Sequence, residues 1–471
     1  MSRRLLTACL ILLTCTRPVF AREVPNPGSP EAAVHLLNEL VATDTSLGKG
    51  QVPQLVDHLA EIFRQAGFAA ADVNVVRVSD TAALAVRYRG SGQGGRPIDL
   101  LAHLDVVAAR AEEWGRDPFE LSEKDGYLIG RGVLDVKGEV ALLVTTLLGL
   151  KAEGFIPTRD LNLVLTGDEE TTGETADTLV NGYRPLIDAE YALNADNLGG
   201  GTLDESDGHP LLFRVQGSEK ASARFKLTTR NSGGHSSQPR ADNAIYEMAD
   251  ALKAVERYRF PVMWNDWTIG DFQGTAASTS GELGAAMKAY AANPLDRKAS
   301  DRLSADSTFI GRVRTTCVAT MLTAGHAVNA LPQSANATIS CRIFPGDSMQ
   351  SVHEQLQSIV GSHVEVEDGP AIEMAPPSPL RPGVMAAVNR AIQATHPGAR
   401  VVPTQSSYAT DGATFRLAGI PTYGVGGLFI KESEQFAHGL NERIPVASFY
   451  AGLQHWRILI TELAGTPTIS E

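Results

Sequence analysis

Basic charge is scarce in this 471-residue chain: 41 Lys and Arg stand against 54 Asp and Glu, a net charge of −13. Such a balance lacks the positive surface that gathers nucleic acid or anionic membranes, so neither is expected as a partner. Cysteine is scarcer still, with four residues, which leaves thiolate out of any metal chemistry the chain performs. Long apolar runs are missing apart from Leu5 to Cys15, well short of the roughly 20 residues a spanning helix requires. No internal repeat and no low-complexity tract interrupts the rest.

The one apolar run has a reading of its own. Arg3 and Arg4 precede it, and the small-tolerant positions Val19 and Ala21 follow in "PVFA". That is the layout of a secretory signal over residues 1–21, cut after Ala21; Cys15 as a lipid-modified residue is the lesser alternative. Removal takes three arginines and moves the net charge from −13 to −16. A periplasmic or secreted protein is expected. Cys9 and Cys15 leave with the signal, and Cys317 and Cys341 remain, flanking a loop between two strand-like runs. Export permits a disulfide across such a hairpin; two buried thiols are the preferred expectation.

About 450 residues exceed a single core, so two domains are expected. Residues 22–212 alternate helical and strand-like stretches. "EAAVHLLNELVAT" has helical spacing, "IDLLAHLD" and "LNLVLTG" read as buried strands, and residues 140, 143, 144, 147 and 148 form one helical face. Alternation of this kind implies an α/β domain on a mostly parallel sheet flanked by helices. From 213 to 368 the order is β-α-β-β-α-β, an α+β, ferredoxin-like domain carrying an insertion at about 257–311. The Pro-rich "PAIEMAPPSPLRPG" then leads back, and residues 369–471 complete the first domain.

In open α/β sheets ligands bind beyond the carboxyl ends of the strands. His103 and Asp105 end "IDLLAHLD", Asp135 precedes a helix in "VLDVKG", Glu169 and Glu170 end "LNLVLTGDEE", and Asp196 ends "YALNAD". His438 stands in "AHGLNERI", before the last helix. Carboxylates packed in a cleft repel one another, so such a cluster calls for cations. Two imidazoles with several carboxylates suit zinc. Taken singly each piece is ordinary: "GDEET" reads equally as a solvated helix start, and His438 as a surface histidine. Five pieces at successive strand ends are specific.

The set "HLDVV", "DGYLIGRGVLDVKG", "LTGDEE", "NAD", "GGHSSQP", "NALP", "CRIFPG" and "AHGLNERI" resembles the di-zinc exopeptidase and deacylase family of aminoacylase, acetylornithine deacetylase, succinyl-diaminopimelate desuccinylase, glutamate carboxypeptidase and carboxypeptidase S. The resemblance spans essentially the whole mature chain. It implies that His103 and Asp196 hold one zinc, Glu170 and His438 the other, and that Asp135 bridges them; Co²⁺ or Mn²⁺ can take the place of Zn²⁺. Asp105 would orient His103, and Glu169 would be the general acid and base. The inserted domain would be a lid and homodimerisation module, with His235 reaching the neighbouring subunit's site to stabilise the oxyanion. Asn329 and Arg342 would bind the substrate, and Gly412, with Gly426 and Gly427, would let backbone approach it. Two departures stand out: Val136 replaces the second acid that many relatives have after the bridging Asp, and "NADNLGGG" lacks the Glu-Gly pattern usual at the later ligand. The expected function is an exported exopeptidase that cleaves the amide next to an amino acid with a free carboxylate, of the carboxypeptidase or dipeptidase type. The alternatives are an N-acyl-amino-acid deacylase and a catalytically inactive metal-binding protein of the same fold.

Overall fold

The computed structural model describes residues 26–371 and 374–465. The expected signal, with Cys9 and Cys15, lies outside the described residues. At the centre of the larger sheet are four mutually parallel strands, in the order Leu161–Thr166, Ile98–His103, Tyr191–Asn194 and Thr422–Gly424. Leu161–Thr166 and Ile98–His103 are buried at every position, as strands covered on both faces must be. Antiparallel strands extend the sheet on one side (Thr81–Tyr88, then Val73–Val78) and a mixed group extends it on the other.

Helix Lys137–Ala152 corrects one expectation. Its spacing predicts a single apolar face, yet it is buried nearly all round, packed between the sheet and the helices Pro30–Ala42 and Val446–Gly465. A helix enclosed by neighbours has no wet face to mark. The approach to the chain before Pro30 is close enough that a Cβ on Gly149 would lie 2.5 Å from the Gly28 Cα. Helix Pro30–Ala42 itself starts where expected, with Ser29 accepting the Ala32 N–H at 3.2 Å and proline in its first turn.

The smaller sheet has four antiparallel strands in the order Thr316–Ala324, Ser334–Ile343, Ala221–Arg230, Val364–Ala371. Helices Ala244–Arg257 and Met349–Val360 cover one face, capped by Asn243 and Ser348. Strand Ser334–Ile343 alternates buried and half-buried residues without a break, and its inward Ala337, Ile339 and Ile343 join Phe225, Met248 and Leu356 in a separate core. Sequence order and spatial order together are those of a ferredoxin-like unit.

Three expectations about this region change. The boundary at 213 falls inside Pro210–Glu219, which pairs in parallel with Arg400–Ser406 in the larger sheet; the crossing comes at Lys220. The run "LLFRVQGSEKASARFKLTTRN" therefore gives one strand to each sheet, the first mostly buried and the second buried on one face. The segment expected as an insertion in the smaller domain forms helices Asp266–Thr275, Gly281–Ala292 and Arg297–Ser304, and the first of these packs on Arg400–Ser406. Its Trp267 enters the large core and donates to the Ser378 carbonyl at 2.8 Å. Finally, Cys317 and Cys341 are not two thiols: they face each other in register on adjacent strands, with Cα atoms 4.1 Å apart, and form a disulfide. That pairing depends on strand register, which spacing in the sequence does not reveal.

Candidate metal centre

The carboxyl ends of the parallel strands bring the acids together. His103 is the last residue of its strand, Asp196 lies two residues past Asn194, and Glu169 and Glu170 follow Thr166 by three and four. Asp135 immediately precedes the central helix across a cis Asp135–Val136 peptide. His438 comes from the loop before Arg443–Pro445, in a left-handed conformation (φ 61°).

Asp135 is the centre of the arrangement. Its Oδ1 lies 3.1 Å from His103 Nε2 and its Oδ2 3.1 Å from His438 Nε2. His438 Nε2 is also 2.9 Å from Glu170 Oε1, and His103 Nε2 is 4.0 Å from Asp196 Oδ2. Of the three ligand groupings here, His103–Asp135–Asp196 and Asp135–Glu170–His438 share the one carboxylate of Asp135, and the third joins His103 to Glu169 and Glu170. His103, Asp135 and Asp196 are buried, while His438 is the open side of the site.

The electrostatics call for cations. Burial raises the Asp135 carboxyl, but the two imidazoles facing it outweigh that and hold it below the usual range. Hydrogen bonds to Asp135 and Glu170 push the His438 imidazole up to about 10. Burial drives Asp196 and Glu169 well above the carboxylate range, and neighbouring acids reinforce it. Among the described residues no Lys or Arg forms an ion pair with Asp135, Glu169, Glu170 or Asp196. Imidazole and carboxylate donors, grouped in two sets about a shared Asp135, fit two borderline divalent ions.

The remaining acids of "TGDEE" divide the work. Asp168 faces away: it accepts hydrogen bonds from the backbone of Glu174 (2.7 Å) and Thr175 (3.0 Å) and from the Thr172 and Thr175 hydroxyls, closing the turn. Asp105 holds the next two residues, its carboxylate accepting the amides of Glu169 (3.1 Å) and Glu170 (2.9 Å). This modifies the expected role of Asp105. Its backbone carbonyl, 3.0 Å from Nδ1, makes the closest contact with His103, and its carboxylate lies 3.5 Å from the same nitrogen. Because a carbonyl only accepts, Nδ1 donates to it, which leaves Nε2 facing the acids of the site.

Sequence reasoning missed the residues that hold the loops. Glu442, fully buried, accepts the backbone N–H groups of Gly132 (3.0 Å), Leu134 (2.8 Å) and Asp135 (3.0 Å) and pairs with Arg131 at 2.6 Å. Lys137 is buried and donates to the Leu40 and Thr43 carbonyls at 2.8 and 2.7 Å; burial lowers its ammonium to about 7. Asn194 accepts the Asp196 N–H at 3.1 Å and donates to Thr410, which Glu219 holds in turn. The only sequence signal was proximity: Glu442 sits four residues past His438.

The other expected site residues lie elsewhere. His235 is exposed on the two-residue strand Gly234–His235, paired with Ala330–Leu331, and its Nδ1 is 2.7 Å from the Ser237 hydroxyl. Asn329 is beside it, its carbonyl accepting the Ser236 N–H at 3.1 Å. Arg342 is half-buried on Ser334–Ile343, opposite Ser222 and Thr316. Among the described residues no hydrogen bond or ion pair joins these three to the acid cluster. Gly412 is packed against its own neighbours: a Cβ there would lie 2.9 Å from Thr410 Oγ1 and 3.2 Å from Thr422 Cγ2. Gly426 and Gly427 are equally enclosed, by Ala195 and Asn197 and by His455.

A parallel-sheet edge carrying two imidazoles, a shared carboxylate and a half-buried neighbouring glutamate has the donor set of a metal-dependent hydrolase. Comparison with known proteins makes the class particular. The family model "Peptidase family M20/M25/M40" matches residues 100–462, and the chain belongs to that family of peptidases and amidohydrolases. It is 28% identical over 371 residues to the N-fatty-acyl-amino acid synthase/hydrolase PM20D1 of Homo sapiens, covering 77% of this chain and 73% of that one. Aminoacylase-1 of Sus scrofa is 25% identical over 428 residues, 88% of this chain and 91% of its own. In fold it matches the M20 family metallo-carboxypeptidase Sso-CP2 of Sulfolobus solfataricus with a TM-score of 0.67 at 15% identity, covering 92% of this chain and 99% of that one.

Proposed function

We propose that this hydrolase is an exported zinc enzyme that cleaves the amide next to an amino acid with a free carboxylate, as a carboxypeptidase or dipeptidase does. The observation that carries the reading is Asp135, whose two oxygens face two different imidazoles at 3.1 Å each. His103 and Asp196 would hold one zinc, Glu170 and His438 the other, with Asp135 between them. Bound zinc supplies carbonyl polarisation and a more acidic water. Glu169, half-buried beside the ligands, takes a proton from the attacking water and returns it to the leaving nitrogen; a carboxyl pushed up by desolvation suits both halves of that task. Asn329 and Arg342 recognise the free carboxylate, the guanidinium fork suiting a planar anion. His235 donates to the oxyanion of a neighbouring subunit's site.

The smaller sheet supports assembly. Its edge strand Thr316–Ala324 exposes Val318 (60%), Met321 (65%) and Leu322 (58%), an unpaired apolar edge suited to a second copy of the chain. The Cys317–Cys341 disulfide supports export, because such bonds persist in oxidising compartments.

A second reading, N-acyl-amino-acid hydrolysis by the same residues, is favoured by the relatives whose names carry that activity. One panel separates the cases: dipeptides, N-acyl amino acids and their carboxamides, each assayed with and without chelator. Chelator-sensitive release of the amino acid from free carboxylates alone is the expected result. Cleavage only of substrates with a free amino terminus and a blocked carboxyl contradicts the proposal, as does no turnover in protein that still binds zinc.

A further inference from the structure

A cavity of about 440 Å³ opens beside the acid cluster, and none of the roles above uses it. Asn197, which follows Asp196, and Gln435, three residues before His438, line one side. Arg214, Gln405 and Tyr408 come from the larger sheet and the loop after it. The opposite wall is Ser307 to Arg312, the end of the helical segment that packs on that sheet.

Charge and hydrogen bonding in the cavity are out of balance. Arg312 is paired with buried Asp271 at 2.8 Å, so its charge is matched. Arg214 is less well matched: it donates to the Thr202 hydroxyl at 2.7 Å and has one long ion pair, 3.9 Å, to the exposed Glu432, while the Asp271 that also acts on it is taken by Arg312. Burial, and then the like charge of Arg312, hold the Arg214 guanidinium below its usual range. Arg214 Nε, Gln405 Nε2 and both side-chain atoms of Asn197 are buried without a hydrogen-bond partner. A wall with two half-buried guanidinium groups, one of them matched only by a distant exposed acid, suits an anionic acceptor and penalises an apolar group.

We infer that this cavity is a specificity pocket for a second carboxylate of the substrate, with Arg214 as its recognising residue. The inference rests on the amide-hydrolysis reading, in which Arg342 and Asn329 take the first carboxylate. It selects acidic dipeptides, or N-acyl derivatives of dicarboxylic amino acids, over fatty-acyl compounds. Glu432 at the rim tempers the pocket's positive charge.

Two isosteric pairs test it: glycyl-glutamate against glycyl-glutamine, and glutamyl-alanine against glutaminyl-alanine. The readout is the ratio of kcat/KM within a pair, which a general loss of folding or metal leaves unchanged. At least one pair is expected to favour the acid by about ten-fold or more, chiefly through KM, the scale of one hydrogen bond to a charged group. Arg214→Gln should bring that ratio close to one, and Glu432→Gln should raise it. Ratios near one for both pairs in the unaltered protein overturn the inference, as does a preference that survives Arg214→Gln. Cleavage of none of the four peptides and of no N-acyl amino acid overturns the amide-hydrolysis reading itself.

Discussion

The two sheets treat their functional residues differently. The larger one buries His103, Asp135 and Asp196 at its carboxyl edge and fixes the loops that carry them with further buried groups, Glu442 for the Asp135 loop and Asp105 for Glu169 and Glu170. The smaller one leaves His235 and Asn329 exposed on a short ladder and Arg342 half-buried on a strand, with no hydrogen bond or ion pair to the acids among the described residues. A preorganised centre is complete within one chain. On the proposed reading, the groups held out in solvent would serve a step that needs closure or a second subunit. Metal binding should therefore fail when the ligands of the first region are altered, and survive changes in the second that abolish turnover.

The sharpest cut within the larger region is Glu169→Gln. It should lower kcat on the order of 10²–10⁴-fold with metal content unchanged, the loss expected of a proton shuttle; near-normal turnover would remove Glu169 from that role. Next comes His235→Ala, with a fall on the order of 10²–10³-fold, the scale of one oxyanion donor. Mixing it with Glu169→Gln under proven subunit exchange should restore activity, because each hybrid dimer then has one site with both Glu169 and the partner's His235 intact. Absence of rescue would place His235 outside any shared site.

Asp105→Asn should have a smaller effect, about 10–100-fold in metal affinity or rate, typical of groups that orient ligands. Titration with a competing chelator reads it directly. Replacing Cys317 and Cys341 by Ser should leave turnover within about two-fold. It should cost roughly 3 kcal/mol in stability, from the loop of 24 residues that the bond closes. Unfolding followed in parallel with metal release distinguishes the regions: the smaller core should melt earlier while the metals stay bound.

Much of this contrast was legible before any coordinates. Buried strands end where their residues turn from apolar to acidic, so "IDLLAHLD", "LNLVLTGDEE" and "YALNAD" announce both a parallel sheet and its reactive edge. What escaped depends on distant parts of the chain meeting. Glu442 holds the Asp135 loop from 307 positions away, a relation no local pattern encodes. Asp168 looks like its neighbours in sequence, and only the turn it closes separates it from Glu169 and Glu170. The segment 257–311 has helical pieces whose apolar residues do not say which sheet they cover; Trp267 and its bond to Ser378 do. The disulfide was hidden by the same limit, since register places Cys317 opposite Cys341.

Whether one aspartate joins two ions is best read by counting them. Metal analysis of purified protein should find two divalent ions per chain, and the Asp135→Ala variant, folded and of native size, should retain fewer than one. Equal content in the two proteins would contradict a centre bridged by Asp135, whatever the activity of either.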